Sequence, residues 1–150
     1  MMEPKVRTLV DQYELAVAFA HEFAAELGKE RAHRIILRGF EKKQIAAAYD
    51  LAEQLGGNSL EVLAEYYRQR ASENDNLEVL EVTDKHVALK LTRCRAFEAF
   101  SHLGAPEICR LYCDSDHAYI KAFNPGMKMK RTKTIAAGDA YCDHVWALED

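Results

Sequence analysis

The chain has 150 residues, enough for one compact domain with a substantial core, and 49% of them are hydrophobic, which excludes a chain disordered throughout. Its 20 basic and 24 acidic residues give a formal net charge of -4, which speaks against a dedicated nucleic-acid binder. No apolar run is long enough to span a bilayer, and the charged start "MMEPKVRTLVDQYE" has no signal-like apolar region, so the expectation is a cytoplasmic protein that neither crosses nor binds a membrane.

The first helix is expected over residues 6–27, where Val6, Val10, Tyr13, Val17, Ala20, Ala24 and Leu27 recur at spacings of four and three, with Gly28 as the stop. This seam suits packing inside the domain; a homodimer through the N-terminal helices is the sharper alternative. A second helix is expected over 30–55, ended by Gly56-Gly57, with Gly39 as a breaker or a point of close packing. A third begins at Asn58, with Glu61 in capping-box position.

At "NLEVLEVTDKHVALKLTRC" the period falls to two, and "TDKH" separates the two arms of a β-hairpin. Leu77-Val79 and Leu80-Val82 are out of phase, which predicts a bulge or burial of both faces. "GAPEICRLYCDSDHAYIKAFNPG" returns to a helix, opened by Pro106 and Glu107 and closed by Pro125-Gly126. Two more strands are expected near 127–136 and 140–148, joined by "AAGD". The sum is an α+β single domain: a helical part over 1–75, then two hairpins over 76–150 that form a mainly antiparallel four-stranded sheet, with the intervening helix packed on it.

The chemistry-bearing residues gather in the second half. On one continuous helix, Cys109, Cys113 and Asp116 share a face. On the last strand, Cys142, His144, Trp146 and Leu148 share another. Both are apolar faces and could converge where helix meets sheet. Taken singly, a cysteine here is more often core filling, and a histidine beside a tryptophan a hydrogen-bonded core residue. Three functional readings stand beside that. Zinc could be held by Cys94, Cys113, Cys142 and His144, although no CxxC pair occurs and no cofactor is the default. A redox pair is the second reading. In the third, a thiol or carboxylate lines a small-molecule pocket, with Asp116 orienting His144 or a water. In "GMKMKRTKT", Arg131 shares a strand face with Met127 and Met129 and could fork onto a substrate carboxylate; a solvated strand end is the plainer account.

These residues carry a resemblance. Cys94, the "LGAPEIC" helix start, Cys113-x-x-Asp116, Asn124-Pro125, Arg131-Thr132 and Gly138-Asp139-x-x-Cys142 occur in an order that resembles the L-2-amino-thiazoline-4-carboxylic acid hydrolase family over residues 90–146. The resemblance implies a hydrolase that adds water to a cyclic amidine and opens the ring to N-carbamoyl-L-cysteine. It makes Cys113, Asp116, Cys142 and His144 the candidates for the chemistry, and Arg131 and Asp139 the candidates for holding the substrate. A fold-level likeness to 4-vinyl reductase-type domains implies a different class, a non-catalytic small-molecule- or metal-binding module.

Overall fold

The first apolar seam is realised, in a computed structural model that describes residues 1–149, as helix α1 (Pro4–Leu27). Val6, Val10, Tyr13, Val17 and Ala20 are all buried along it. Gly28 stops the helix at φ +80°, a conformation that costs a glycine little, and returns its N–H to the Ala24 carbonyl. Helix α2 (Lys29–Leu55) follows at once and runs through Gly39 without a break. Helix α3 (Leu60–Ser72) starts one residue later than the sequence suggests, because Ser59 rather than Asn58 caps it: the Ser59 hydroxyl accepts from the Val62 N–H at 3.2 Å.

Strands β1 (Leu77–Val82) and β2 (His86–Leu91) form the expected hairpin. The phase slip in β1 is a bulge: Val79 pairs with Leu89 and Glu81 with Ala88, so Leu80 is the extra residue and stands exposed. The connection to the second hairpin is where sequence and structure differ most. It holds three helices, α4 (Arg95–His102), α5 (Pro106–Asp114) and α6 (Asp116–Phe123). The single helix expected over Cys109–Asp116 therefore breaks at Ser115. The Ser115 hydroxyl donates to the Tyr112 carbonyl at 2.6 Å, and its N–H is shared between the Leu111 and Tyr112 carbonyls, which tightens the turn and ends α5.

The sheet closes with β3 (Met127–Lys130) and β4 (Cys142–Leu148), in the order β1-β2-β4-β3, antiparallel throughout. Strand β3 is shorter than its alternation implies. Beyond Lys130 the chain bonds to the Asp143 side chain instead of continuing the ladder, then makes a short 3-10 turn at Ile135–Ala137.

Contacts gather into two compact units, each built from two separate stretches of the chain. The first joins residues 1–40 to 94–115. There Val6 and Val10 pack with Ala99 of α4, and Tyr13 stacks on Phe100 at 4.8 Å between ring centres, with Phe40 and Tyr112 closing the aromatic cluster. The first part of the α1 seam, Val6 to Tyr13, is thus packed inside its own unit. The second unit joins residues 41–93 to 116 onward and contains the whole sheet. One sheet face, with Val87, Leu89, Met127, Met129 and Trp146, is buried against Leu63 of α3 and Ile120 and Phe123 of α6. Burying such side chains contributes about 2 kcal/mol each. No helix among the described residues is long and apolar enough to cross a membrane.

Candidate functional site

The second unit holds a cavity of about 270 Å3 between its helices and the inner face of its sheet. Leu77, Leu89 and Leu91 give it an apolar floor. Strand alternation brings His144 and Trp146 to it from β4, opposite Leu89 and Val87 of β2. Helix α3 contributes the neighbours Tyr66 and Tyr67 and, one turn on, Arg70. Asp116, in the first turn of α6, and Tyr119, one turn later, complete the wall with Gln44 of α2. A carboxylate in a first helical turn is favoured by the unpaired N–H groups there.

Asp116 is the polar centre. Its Oδ2 accepts from the Arg131 guanidinium at 3.3 Å, and its Oδ1 accepts from the Gln44 amide at 3.1 Å. Arg131 does not itself line the cavity, but it bonds Asp116 and lies 3.5 Å from the His144 Nε2. Burial, then the Arg131 charge, lowers the His144 pKa to about 4, so the imidazole is neutral at pH 7. His144 also stacks obliquely on Trp146, with ring centres 5.5 Å apart. Tyr67 lies on Trp146 at an interplanar angle of 19°. Burial pushes the Tyr67 and Tyr119 hydroxyls well above their ordinary pKa, so both remain protonated donors. Arg70 is exposed; its guanidinium donates to the Tyr66 hydroxyl at 2.9 Å and lies 5.6 Å from the centre of the Tyr66 ring, within cation–π range.

The other sequence-selected residues have different surroundings. Cys142 shares the β4 face with His144, but its sulfur accepts from the Ile135 N–H at 3.2 Å and approaches the Thr134 hydroxyl at 3.8 Å. Asp139 is exposed and accepts from the Thr134 N–H at 2.8 Å, closing the same loop. Cys113 belongs to the first unit with Cys94 and Cys109. Hydrogen bonds to Cys113 and Cys94, then burial, push the Cys109 thiol far up, so it stays protonated. Cys94 caps α4, its sulfur accepting from the Phe97 N–H at 3.3 Å. The four zinc candidates divide as Cys94 and Cys113 in the first unit and Cys142 and His144 in the second. Among the described residues no three His, Cys, Asp or Glu side chains are grouped so as to hold a metal ion.

Sequence reasoning missed Gln44, Tyr66, Tyr67, Arg70 and Tyr119. The signal for three of them was present: an aromatic pair followed by an arginine one helical turn after Tyr66. It also missed Asp143, whose carboxylate accepts from the Thr132 and Lys133 N–H groups at 2.8 and 2.6 Å and from the Thr132 hydroxyl. Those bonds fasten the segment that carries Arg131.

A family model described as L-2-amino-thiazoline-4-carboxylic acid hydrolase matches residues 10–146. The chain belongs to that family. The match takes in the N-terminal helices, which carry no recognisable motif of their own, as well as the motif-bearing C-terminal half. Among solved structures, the chain is similar to the crystal structure of the phenol-responsive sensory domain of the transcription activator PoxR with phenol. The TM-score is 0.58 at 15% identity, covering 90% of this chain and 73% of the other, which establishes a shared fold. No curated protein matches the sequence.

Proposed function

We propose that the cavity of the second unit binds a small cyclic amidine acid of the 2-amino-thiazoline-4-carboxylate type and hydrolyses it. The observation that carries this reading is a neutral, largely enclosed His144 beside the Asp116–Arg131 pair in an aromatic-walled pocket. Arg70 at the rim holds the ligand carboxylate, because the Arg131 guanidinium is already engaged by Asp116. Asp116 retains lone pairs for the exocyclic amino group. His144 takes a proton from water as the water oxygen adds to the amidine carbon. The C=N electron pair moves to the ring nitrogen, which takes that proton back from the His144 imidazolium; the carbon–sulfur bond then breaks as the new oxygen becomes the carbonyl of a carbamoyl group, and the hydroxyl proton passes through His144 to the leaving sulfur. Cys142 and Asp139 secure the loop between β3 and β4 in this reading, and no covalent step is assigned to Cys113.

The test is incubation with 2-amino-thiazoline-4-carboxylate, scoring free thiol and the mass of the ring-opened product. One thiol per ring opened, lost in Asp116→Asn, is the expected result. Absence of product from folded protein at any pH between 5 and 9 refutes hydrolysis of this substrate.

A second reading, ligand binding without turnover, is favoured by the fold likeness to a sensory domain whose structure contains phenol. It predicts that the ring acid is recovered unchanged after binding.

A further inference from the structure

Helix α1 buries one face and leaves another bare. Leu15, Phe19, Phe23 and Leu27 recur at intervals of four, and they are 64%, 52%, 37% and 38% exposed. Phe19 and Phe23 stack on each other with ring centres 6.2 Å apart. A continuous apolar stripe on a water-facing helix marks a contact surface. Its edge is acidic: Asp11, Glu22 and Glu26 each lie three or four residues from a member of the stripe, and no lysine or arginine occurs between Arg7 and Lys29. The first part of α2 has the opposite character. Arg31, Arg34, Ile35 and Arg38 share one helical face, and with Leu37 they line a groove of about 370 Å3. Arg34 is held by Glu30 at 2.6 Å in an exposed pair, whereas Arg31 and Arg38 have no carboxylate partner among the described residues. Stripe and groove both belong to the first unit.

We infer that the occupant of this stripe is a second copy of the chain: the α1 stripe of each copy lies in the arginine-edged groove on α2 of the other. Charge selects this occupant. In the groove the acidic edge of the stripe meets guanidinium groups. Stripe against stripe would instead gather the carboxylates of both copies, and a membrane surface carrying anionic lipid would repel them. Each copy offers one stripe and one groove, so the exchange makes two identical contacts and closes about a two-fold axis. Two aromatic rings form the apolar centre of each contact and the charges its rim. The surface is distinct from the buried seam of α1, whose Val17 and Ala20 stay covered within the copy. Nothing in this pairing depends on what the cavity of the second unit binds.

Sedimentation velocity of the full-length protein over about 1–100 μM tests the pairing. The expected species is a dimer, twice the 17.1 kDa mass of the chain. Phe19→Ser combined with Phe23→Ser should weaken it by about a hundredfold or more, with the circular dichroism of the monomer unchanged. Two charge variants then locate the contact. Glu22→Arg with Glu26→Arg sets arginine against the groove of its own kind, and Arg31→Glu with Arg38→Glu sets glutamate against its own stripe. Each alone should weaken the dimer by about tenfold or more. Mixed in equal amounts, the two should recover a dimer, because both exchanged contacts then pair opposite charges. A monomer throughout the concentration range overturns the inference, as does a dimer that survives the two serines. A dimer untouched by Arg31→Glu with Arg38→Glu sets stripe on stripe and overturns the assignment to the α2 groove. A monomer that sediments with phosphatidylglycerol vesicles gives the stripe to lipid and overturns it too. If a charge variant loses its fold, the mass of the unaltered protein and the response to the two serines decide.

Discussion

Arg131 and Asp116 form an ion pair across the second unit at 3.3 Å, with side chains only 9% and 21% exposed. The pair joins the end of β3 to the start of α6. Such a pair adds little net stability when intact, but removing one partner leaves a charge stranded in a poorly solvated place.

Asp116→Ala should therefore destabilise the protein by about 2–3 kcal/mol, seen as a lower urea midpoint. Asp116→Asn, which keeps an acceptor for Arg131, should lose about half of that. An unfolding midpoint unchanged in Asp116→Ala would mean that the pair is solvated.

The His144 imidazole makes stability depend on acidity. Its folded pKa, about 4, lies below the ordinary value of 6.5, so the unfolded chain binds the extra proton first. Its contribution is fully present above pH 6.5 and is lost as pH falls towards 4. Over that window the loss is about 3 kcal/mol. His144→Gln should flatten this part of the stability profile, measured by denaturant titration at pH 7 and pH 4. The same depression should carry hydrolysis well below pH 6, with the acid limb of kcat/KM near pH 4.

Asp143 acts on the site through the backbone. Asp143→Ala removes the acceptor for two N–H groups and a hydroxyl at Thr132 and Lys133. The expected cost is about 2 kcal/mol, together with faster amide exchange over residues 131–134. Asp143→Asn should recover part of both. Unaltered exchange in that segment would show that the strand end is held by other contacts.

Arg70 is exposed enough to be replaced without loss of fold. Arg70→Met should leave the melting temperature nearly unchanged and weaken binding of ring acids by roughly tenfold or more, with a smaller effect on the matching ring amides. Equal weakening of acids and amides would remove the charge argument.

Much of the fold was legible because the patterns were long or strongly phased. The α1 seam and the two hairpins follow from apolar spacing and turn signals, and the phase slip in β1 showed that a bulge or burial of both faces was needed; only the pairing reveals the bulge at Leu80. The break at Ser115 did not, because a serine in a helical pattern reads as neutral until its hydroxyl is seen on the Tyr112 carbonyl. Helix α4 was hidden for a similar reason: its N-cap is a cysteine, Cys94, which does not announce a helix start. For the site, sequence reasoning named Asp116, Arg131 and His144, and the structure gathers them. It grouped Cys142 with them by strand face, yet strand phase cannot reveal that the Thr134–Ile135 backbone comes to meet the sulfur. The wall from α3 could not be foreseen, since aromatic side chains at helical spacing give no hint of a hollow beside them.

Trp146 is the chain's one tryptophan, and it lines the candidate cavity. The protein thus carries its own optical reporter, needing no label. Light absorbed by Tyr67 or Tyr119 has one indole to reach, and that indole forms part of the cavity wall. A shift in its emission on adding a ligand reads a change at this pocket's wall. The imidazole beside it adds a second signal, because an imidazolium quenches indole emission, so the fading of fluorescence towards pH 4 would titrate His144 in place.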